Sequence, residues 1–236
     1  MKSEKNVGRL IGVLLVVQML AEVLINLVLL GPVITVAPGF LVNAAANSLQ
    51  VSLAVLIGLM GGALSVGIAI TALPVFRQYS YAMALWILAL AIVGFSLAVV
   101  ENSAVMSMLS LSKAHAKANA ADAALFETLR VVVASARNWA HYTHLLVGGG
   151  MFLVFYSLLY RFALIPRVLA GFGLIAVSLQ MTAVAMPLFG YPVMMLMLMP
   201  VGLAHLSVAL WLSVRGFETK SLASRPTLAS ELPRRG

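Results

Sequence analysis

Residues 23–76 read VLINLVLLGPVITVAPGFLVNAAANSLQVSLAVLIGLMGGALSVGIAITALPVF and contain no Asp, Glu, Lys or Arg. Turn-forming residues at Gly31-Pro32 and Ala37-Pro38-Gly39 divide the stretch, and residues 49–73 form a predominantly apolar run. The hydrocarbon core of a bilayer is about 30 Å thick and needs about 20 such residues per helix. Residues 49–73 therefore predict a helix that crosses a membrane.

Five other stretches have a similar length and composition. Together the six predict an all-α, polytopic membrane helix bundle with six transmembrane helices, in one domain over residues 1–215. We expect the spans at residues 10–30, 49–73, 81–100, 141–160, 168–187 and 193–214. Residues 216–236 are polar and basic and contain two prolines, so we predict a disordered cytoplasmic tail.

The composition excludes several classes of protein. Hydrophobic residues make up 62% of the chain and charged residues 9%, whereas a soluble domain carries about 25% charged residues. The absence of cysteine excludes disulfides, thiolate nucleophiles and cysteine-ligated metal sites. The net charge of +8 comes mainly from Lys and Arg beside apolar runs, where they orient helices in a bilayer. We therefore expect the lipid bilayer, and not nucleic acid, as the partner.

The basic residues also predict an orientation. If the N-terminus is cytoplasmic, eleven Lys and Arg fall in cytoplasmic segments and four in outer segments, which favours both termini inside. The four outer residues, Lys113, Lys117, Arg130 and Arg137, all fall in one long loop, residues 101–140. We predict an amphipathic helix in this loop, lying on the bilayer or capping the bundle, because one helical face consists of Leu125, Phe126, Leu129, Val132 and Val133.

Polar residues within the spans are the first candidates for a site, because ionisable groups inside a membrane are costly and usually functional. Gln18, Glu22 and Asn26 are spaced by four and share one stripe of the first helix. At about 1.5 Å per residue, Glu22 and Gln180 lie about 18 Å from the cytoplasmic boundary and His205 about 14 Å. We expect these five residues to meet and to bind a small ligand, an ion or a proton. Alternatively, they form an interhelical hydrogen-bond network that serves packing.

A second candidate site consists of Glu101, His141 and His144, at the outer ends of the third and fourth spans. Two histidines three residues apart lie on one helical face and could chelate zinc or another divalent metal. Glu101 would be the third ligand and would leave an open position for water, as a catalytic zinc requires. The alternative is that these are hydrated interfacial residues and that no cofactor is bound.

One segment carries a resemblance to a known family. Residues 156–175 read YSLLYRFALIPRVLAGFGLI, with an arginine followed by an Ile-Pro-Arg turn between two apolar helices, and residues 6–12 read NVGRLIG. The chain resembles the bacterial membrane proteins called domain of unknown function 4386 in these residues and in its length. The resemblance implies a multi-pass protein of the bacterial cytoplasmic membrane, and it implies no functional residues.

Three functions remain open at this point. The first is a transporter-like or sensor-like protein that binds a ligand between the first, fifth and sixth spans and is not an enzyme. The second is a membrane-embedded, metal-dependent hydrolase at Glu101, His141 and His144. The third is a non-catalytic scaffold or partner subunit. Since no ATPase motif occurs in the sequence, any transport would be driven by gradients.

Overall fold

The computed structural model of the chain describes residues 2–218, and in this range it is all-helical. The α-helices are α1 Lys2–Val23, α2 Gly31–Thr35, α3 Phe40–Ala46, α4 Ser48–Phe76, α5 Tyr81–His115, α6 Ala123–Arg161, α7 Arg167–Ala185 and α8 Met199–Arg215. A π-helix, Leu24–Leu29, continues α1, and short 3-10 turns occur at Ala120–Asp122, Met186–Phe189 and Met195–Met197.

Six of these helices are long and apolar enough to cross a membrane: α1 with its continuation, and α4, α5, α6, α7 and α8. This result confirms the predicted helical bundle of six spans, and the protein is a multi-pass membrane protein. The sixth helix begins at Met199 and not at Val193. Its start coincides with Pro200, which is favourable in the first helical turn because its missing N–H has no partner there in any case.

The six long helices form a ring in chain order. The helix α1 contacts α4, each later helix contacts the next, and α8 contacts α1 and closes the ring. The closure is tight at Gly12, where a Cβ atom would lie 2.3 Å from the backbone nitrogen of Ser213. Only glycine allows these two helices to approach so closely.

One end of the ring, which we call the termini end, contains the beginning of α1 and the end of α8. A packed apolar core fills it, and Phe76, Leu158 and Ile165 are each no more than 1% exposed. Phe217 joins this core with its ring 5.6 Å from that of Phe76. The backbone nitrogen of Glu218 donates to the carbonyl oxygen of Leu164 at 2.8 Å. The first three residues of the predicted tail therefore pack on the bundle, and the rest of the tail, from residue 219, lies outside the described residues.

The opposite end, which we call the hairpin end, differs from the sequence prediction. Residues 101–140 are not a loop with a separate amphipathic helix, because α5 continues to His115 and residues 123–140 are the first half of α6. No glycine or proline occurs between Gly94 and Gly148, so nothing in the sequence breaks either helix before the short polar turn. With 35 and 39 residues, α5 and α6 are about 52 and 58 Å long, well beyond the thickness of a hydrocarbon core.

The segment between α1 and α4 packs back on the hairpin end. The Ser112 hydroxyl of α5 accepts a hydrogen bond from the backbone nitrogen of Ala45 in α3, at 2.8 Å. The Gln50 side-chain amide donates to the carbonyl oxygens of Val28 and Leu29, at 3.0 and 2.7 Å. These two carbonyls end the π-helix, so Gln50 supplies hydrogen bonds that the end of a helix otherwise lacks.

Candidate functional site

Between the apolar core and the hairpin end, the ring contains a cavity of about 490 Å³. All six long helices contribute to its lining. Its polar lining residues are Gln18, Glu22, Asn26, Ser65, Glu101, Asn102, Arg137, His141, His144, Tyr156, Gln180 and His205. The structure therefore brings both candidate sites of the sequence, the stripe on α1 and the cluster on α5 and α6, to the same cavity.

The stripe on α1 ends where the helix changes its hydrogen-bond pattern. Glu22 lies in the last turn of α1, and Asn26 lies in the π-helix that follows. The Asn26 side-chain amide donates to the Glu22 backbone oxygen at 2.9 Å and approaches a Glu22 carboxylate oxygen at 3.4 Å. Short π-helical segments inside longer helices occur frequently at functional sites. The spacing of four residues places Asn26 beside the Glu22 carboxyl group, at the point where the helix changes its pattern.

Gln18 lies one turn earlier on the same stripe and has a partner on α4. Its side-chain amide donates to the Ser65 hydroxyl at 2.5 Å, and that hydroxyl can donate in turn to the Gly61 carbonyl oxygen at 3.4 Å. A Cβ atom on Gly61 would lie 3.7 Å from a Glu22 carboxylate oxygen. The stripe thus faces α4 across the cavity wall, as a polar stripe in a membrane helix must face protein or water.

The cluster at the hairpin end of the cavity is a hydrogen-bonded network centred on Glu101. His141 Nδ1 lies 2.7 Å from one carboxylate oxygen of Glu101, and His144 Nδ1 lies 2.9 Å from the other. A terminal nitrogen of Arg137 lies 3.5 Å from the first oxygen. The Glu101 side chain is only 14% exposed, so the carboxylate is largely removed from solvent and surrounded by three donors. Such charge-assisted hydrogen bonds are stronger than neutral ones.

Arg137 has a further unused donor. Its Nε atom is buried and has no hydrogen-bond partner in the described part of the chain.

Asn102, the neighbour of Glu101, donates to the Ala98 carbonyl oxygen at 2.8 Å, and its side chain lies 3.0 Å from the Cβ position of Gly58 on α4. The wall formed by α5 and α6 is therefore polar at its surface and close-packed behind.

His205 lies in the cavity wall on α8. Its Nδ1 donates to the Val201 carbonyl oxygen at 2.7 Å, which leaves Nε2 as the acceptor of a neutral ring. Aromatic rings of α6 hold the imidazole, with the Phe152 centroid at 4.1 Å and the Tyr156 centroid at 5.6 Å, both edge to face. Within the described residues no hydrogen bond joins His205 or Gln180 to Glu22, so the three share a cavity without touching.

The rest of the cavity is apolar. Apolar side chains from α1, α5 and α6 line it, among them Met19, Leu90, Phe95, Phe152 and Phe155. Glu22 lies within electrostatic range of His144, His141 and Glu101. A molecule in the cavity would therefore meet both polar groups and an apolar wall.

The geometry of Glu101, His141 and His144 bears on the predicted metal site. Both Nδ1 atoms of His141 and His144 point to Glu101 oxygens at hydrogen-bond distance. Within residues 2–218 no group of three His, Cys, Asp or Glu side chains is arranged to hold a metal ion. A metal bound by all three residues would have to replace hydrogen bonds that they make with one another, whereas the Nε2 atoms of both histidines stay available as ligands, and zinc binding stays a prediction.

Sequence reasoning missed the participation of Arg137 and Ser65. Arg137 precedes His141 by four residues and His144 by seven, a spacing that places all three on one helical face. The sequence contains that signal, but the predicted loop over residues 101–140 separates Arg137 from the two histidines. Ser65 carries no comparable signal, because small polar residues are common in membrane helices.

Comparison with known proteins gives a family and no close relative. The family model described as "Domain of unknown function (DUF4386)" matches residues 10–216. This range contains five of the six long helices in full, most of α1 and every residue of the cavity lining. No curated protein and no solved structure matches the chain.

Proposed function

We propose that this protein, which belongs to the domain of unknown function 4386 family, binds a small organic molecule in its intramembrane cavity and acts as a transporter or a sensor. The observation that carries this proposal is the cavity, whose lining contains the candidate residues of both predicted sites, from five helices. Pockets for small molecules usually measure about 300–1,000 Å³ and combine apolar walls with a few placed polar groups. The cavity of about 490 Å³ fits this description.

A purely structural role explains the cavity less well. Polar residues that serve packing in membrane helices bond to one another across close helix contacts. Gln18 with Ser65 fits that role, but Glu22 and Gln180 face open volume. A cavity of this size also weakens the bundle, because its lining atoms lose packing contacts. The polar side chains that face open volume and the lost packing contacts favour a ligand-binding role over a scaffold role.

The two ends of the cavity bear on transport. The termini end is filled by the apolar core around Phe76 and Leu158, so a ligand has no path in that direction in this conformation. A transporter would have to separate α4, α6 and α8 there in a second conformation, as alternating access requires. A sensor would need only a change that the ligand produces at the hairpin end. We place the protein in the bacterial cytoplasmic membrane with both termini inside, on the strength of the charge distribution and the resemblance.

Filling the cavity tests the proposal. Gly148 lines the cavity, and nothing lies within 4 Å of its Cβ position, so Gly148→Leu would place a side chain in the open volume. Gly67 is equally open but does not line the cavity, so Gly67→Leu is the matched control. Purified wild-type protein in a non-ionic detergent is screened by thermal unfolding against small amphipathic amines, alcohols and carboxylates.

We expect at least one compound to raise the melting temperature of wild type and of Gly67→Leu, because a ligand that binds only the folded state stabilises it. The same compound should leave Gly148→Leu unchanged. If every stabilising compound acts on Gly148→Leu as strongly as on wild type, the ligand does not occupy this cavity and the proposed function is wrong.

A further inference from the structure

The two carboxyl groups of the cavity have unequal surroundings. From this difference we infer that the ligand carries one positive charge, as a protonated amine on an apolar body, and that the amine pairs with Glu22. This inference rests on the proposed function and specifies the chemical class of its ligand.

Glu22 has no basic side chain at ion-pair distance in the described residues, although His144 and His141 lie within electrostatic range. Its carboxyl group has one hydrogen-bond donor in the described part of the chain, the Asn26 side chain, at a long 3.4 Å. No Lys, Arg or His side chain within residues 2–218 forms an ion pair with it. Gly61 lies opposite on α4, where an added Cβ atom would lie 3.7 Å from a Glu22 carboxylate oxygen, and Glu22 lines the cavity. One face of this carboxyl group is therefore free toward the cavity.

Glu101 is the contrasting case. It lies between His141 and His144 and has the Arg137 guanidinium at 3.5 Å. The charges of Glu101 and Arg137 offset each other, and the histidines satisfy both carboxylate oxygens. A cation has little to gain at this position, because both carboxylate oxygens of Glu101 are already hydrogen-bonded.

The net charge of the cavity lining also favours a cationic ligand. The charged lining residues are Glu22, Glu101 and Arg137, which leave one unbalanced negative charge when both carboxyl groups are ionised and the imidazoles of His141, His144 and His205 are neutral. The Glu22 side chain is exposed in the bundle, and inside a membrane a charge is costly unless it is paired and hydrogen-bonded. A monovalent cation beside Glu22 supplies both, since an ammonium group is charged and donates up to three hydrogen bonds.

The walls of the cavity suit an apolar body. Phe95, Phe152 and Phe155 line the cavity along with Met19 and Leu90. Aromatic faces attract cations more strongly when the site is desolvated. An ion such as Na⁺ would leave most of this apolar volume unfilled, whereas an arylalkyl amine would cover it.

A series of three probes that differ in charge tests the inference. Phenethylammonium, 2-phenylethanol and 3-phenylpropanoate have similar apolar bodies and are respectively cationic, neutral and anionic. Their affinities are measured by calorimetry with the purified full-length chain in a non-ionic detergent. We expect phenethylammonium to bind about ten times as tightly as the other two probes, or more tightly still. A hydrogen bond to a charged group contributes about a factor of ten in affinity.

Variants assign this preference to Glu22. In Glu22→Gln the affinity for phenethylammonium should fall to that of 2-phenylethanol, while Glu127→Gln should bind like wild type. Glu127 is a suitable control because it lies outside the cavity, is 59% exposed and pairs with Arg130. If Glu22→Gln does not fold, Gly61→Ser provides the second test, since its hydroxyl would donate to Glu22 and compete with the amine.

Three results would overturn the inference. One is a neutral or anionic probe that binds at least as well as the amine and is lost in Gly148→Leu, which would leave the proposed function intact. Another is an undiminished affinity for the amine in Glu22→Gln or, if that variant fails, in Gly61→Ser. If no probe shows binding that Gly148→Leu abolishes, the proposed function itself fails, and the inference with it.

Discussion

His141 Nδ1 lies 2.7 Å from the nearer carboxylate oxygen of Glu101 and joins α6 to α5 at the hairpin end of the cavity. Both helices are longer than a hydrocarbon core is thick, and this contact lies where they leave the expected span. The contact holds the two walls of the cavity at a defined separation. It also leaves the Glu101 carboxylate hydrogen-bonded. The free carboxyl group of the cavity is therefore Glu22, and the predictions below test the parts of this account separately.

The first prediction concerns the closure of the ring between α1 and α8. In Gly12→Ala the new methyl group would lie 2.3 Å from the Ser213 backbone nitrogen, so the helices must move apart. We expect the free energy of unfolding to fall by about 1–3 kcal/mol, as for other overpacked positions. Gly67→Ala is the control, because nothing lies within 4 Å of its Cβ position and alanine favours a helix by about 1 kcal/mol over glycine. Equal stability of the two variants, measured by denaturant titration in detergent, would show that the close contact does not exist.

The second prediction concerns metal content. Since no group of three His, Cys, Asp or Glu side chains within residues 2–218 is arranged to hold a metal ion, we expect the purified protein to contain far less than one zinc per chain by elemental analysis. His144→Ala should then leave the zinc content unchanged and should lower stability through the lost hydrogen bond, by about 1 kcal/mol. Near-stoichiometric zinc that disappears in His144→Ala would instead support the metal-dependent hydrolase.

The third prediction concerns topology. The charge bias places both termini in the cytoplasm and the turn between α5 and α6 outside. A reporter fused after Gly236 should be active only as a cytoplasmic protein, and one inserted after Asn119, in that turn, only as an exported one. Reporters that indicate the same side would mean that the number of membrane crossings or the orientation is wrong.

The sequence was sufficient for the spans and for the depth of the polar groups. Uncharged runs such as residues 49–73 have only one stable form in a bilayer, a helix with all its backbone groups bonded. Counting residues along the helices placed Glu22, Gln180 and His205 at similar depth, and the structure has all three in the lining of one cavity. Their role in binding a ligand remains a prediction.

The union of the two sites could not be predicted. Counting residues gives depth along a helix and not the rotation of one helix against another, so Glu101 and Glu22 appeared as members of separate layers. The continuity of α5 beyond residue 100 was also missed, because polar residues such as Glu101 and Asn102 mark the end of an apolar run without ending the helix. The change to a π-helix at Leu24 has no sequence signature in these residues.

The most direct test of the central claim is to locate a bound amine in the protein. Crystals of the full-length chain grown with 4-iodophenethylammonium give an anomalous signal from the iodine atom. The account predicts an iodine peak inside the cavity, with the amine nitrogen about 3 Å from a Glu22 carboxylate oxygen. It also predicts that the peak is absent from Glu22→Gln crystals grown at the same concentration. Iodine peaks found only outside the cavity, or an equally occupied cavity in Glu22→Gln, would contradict it.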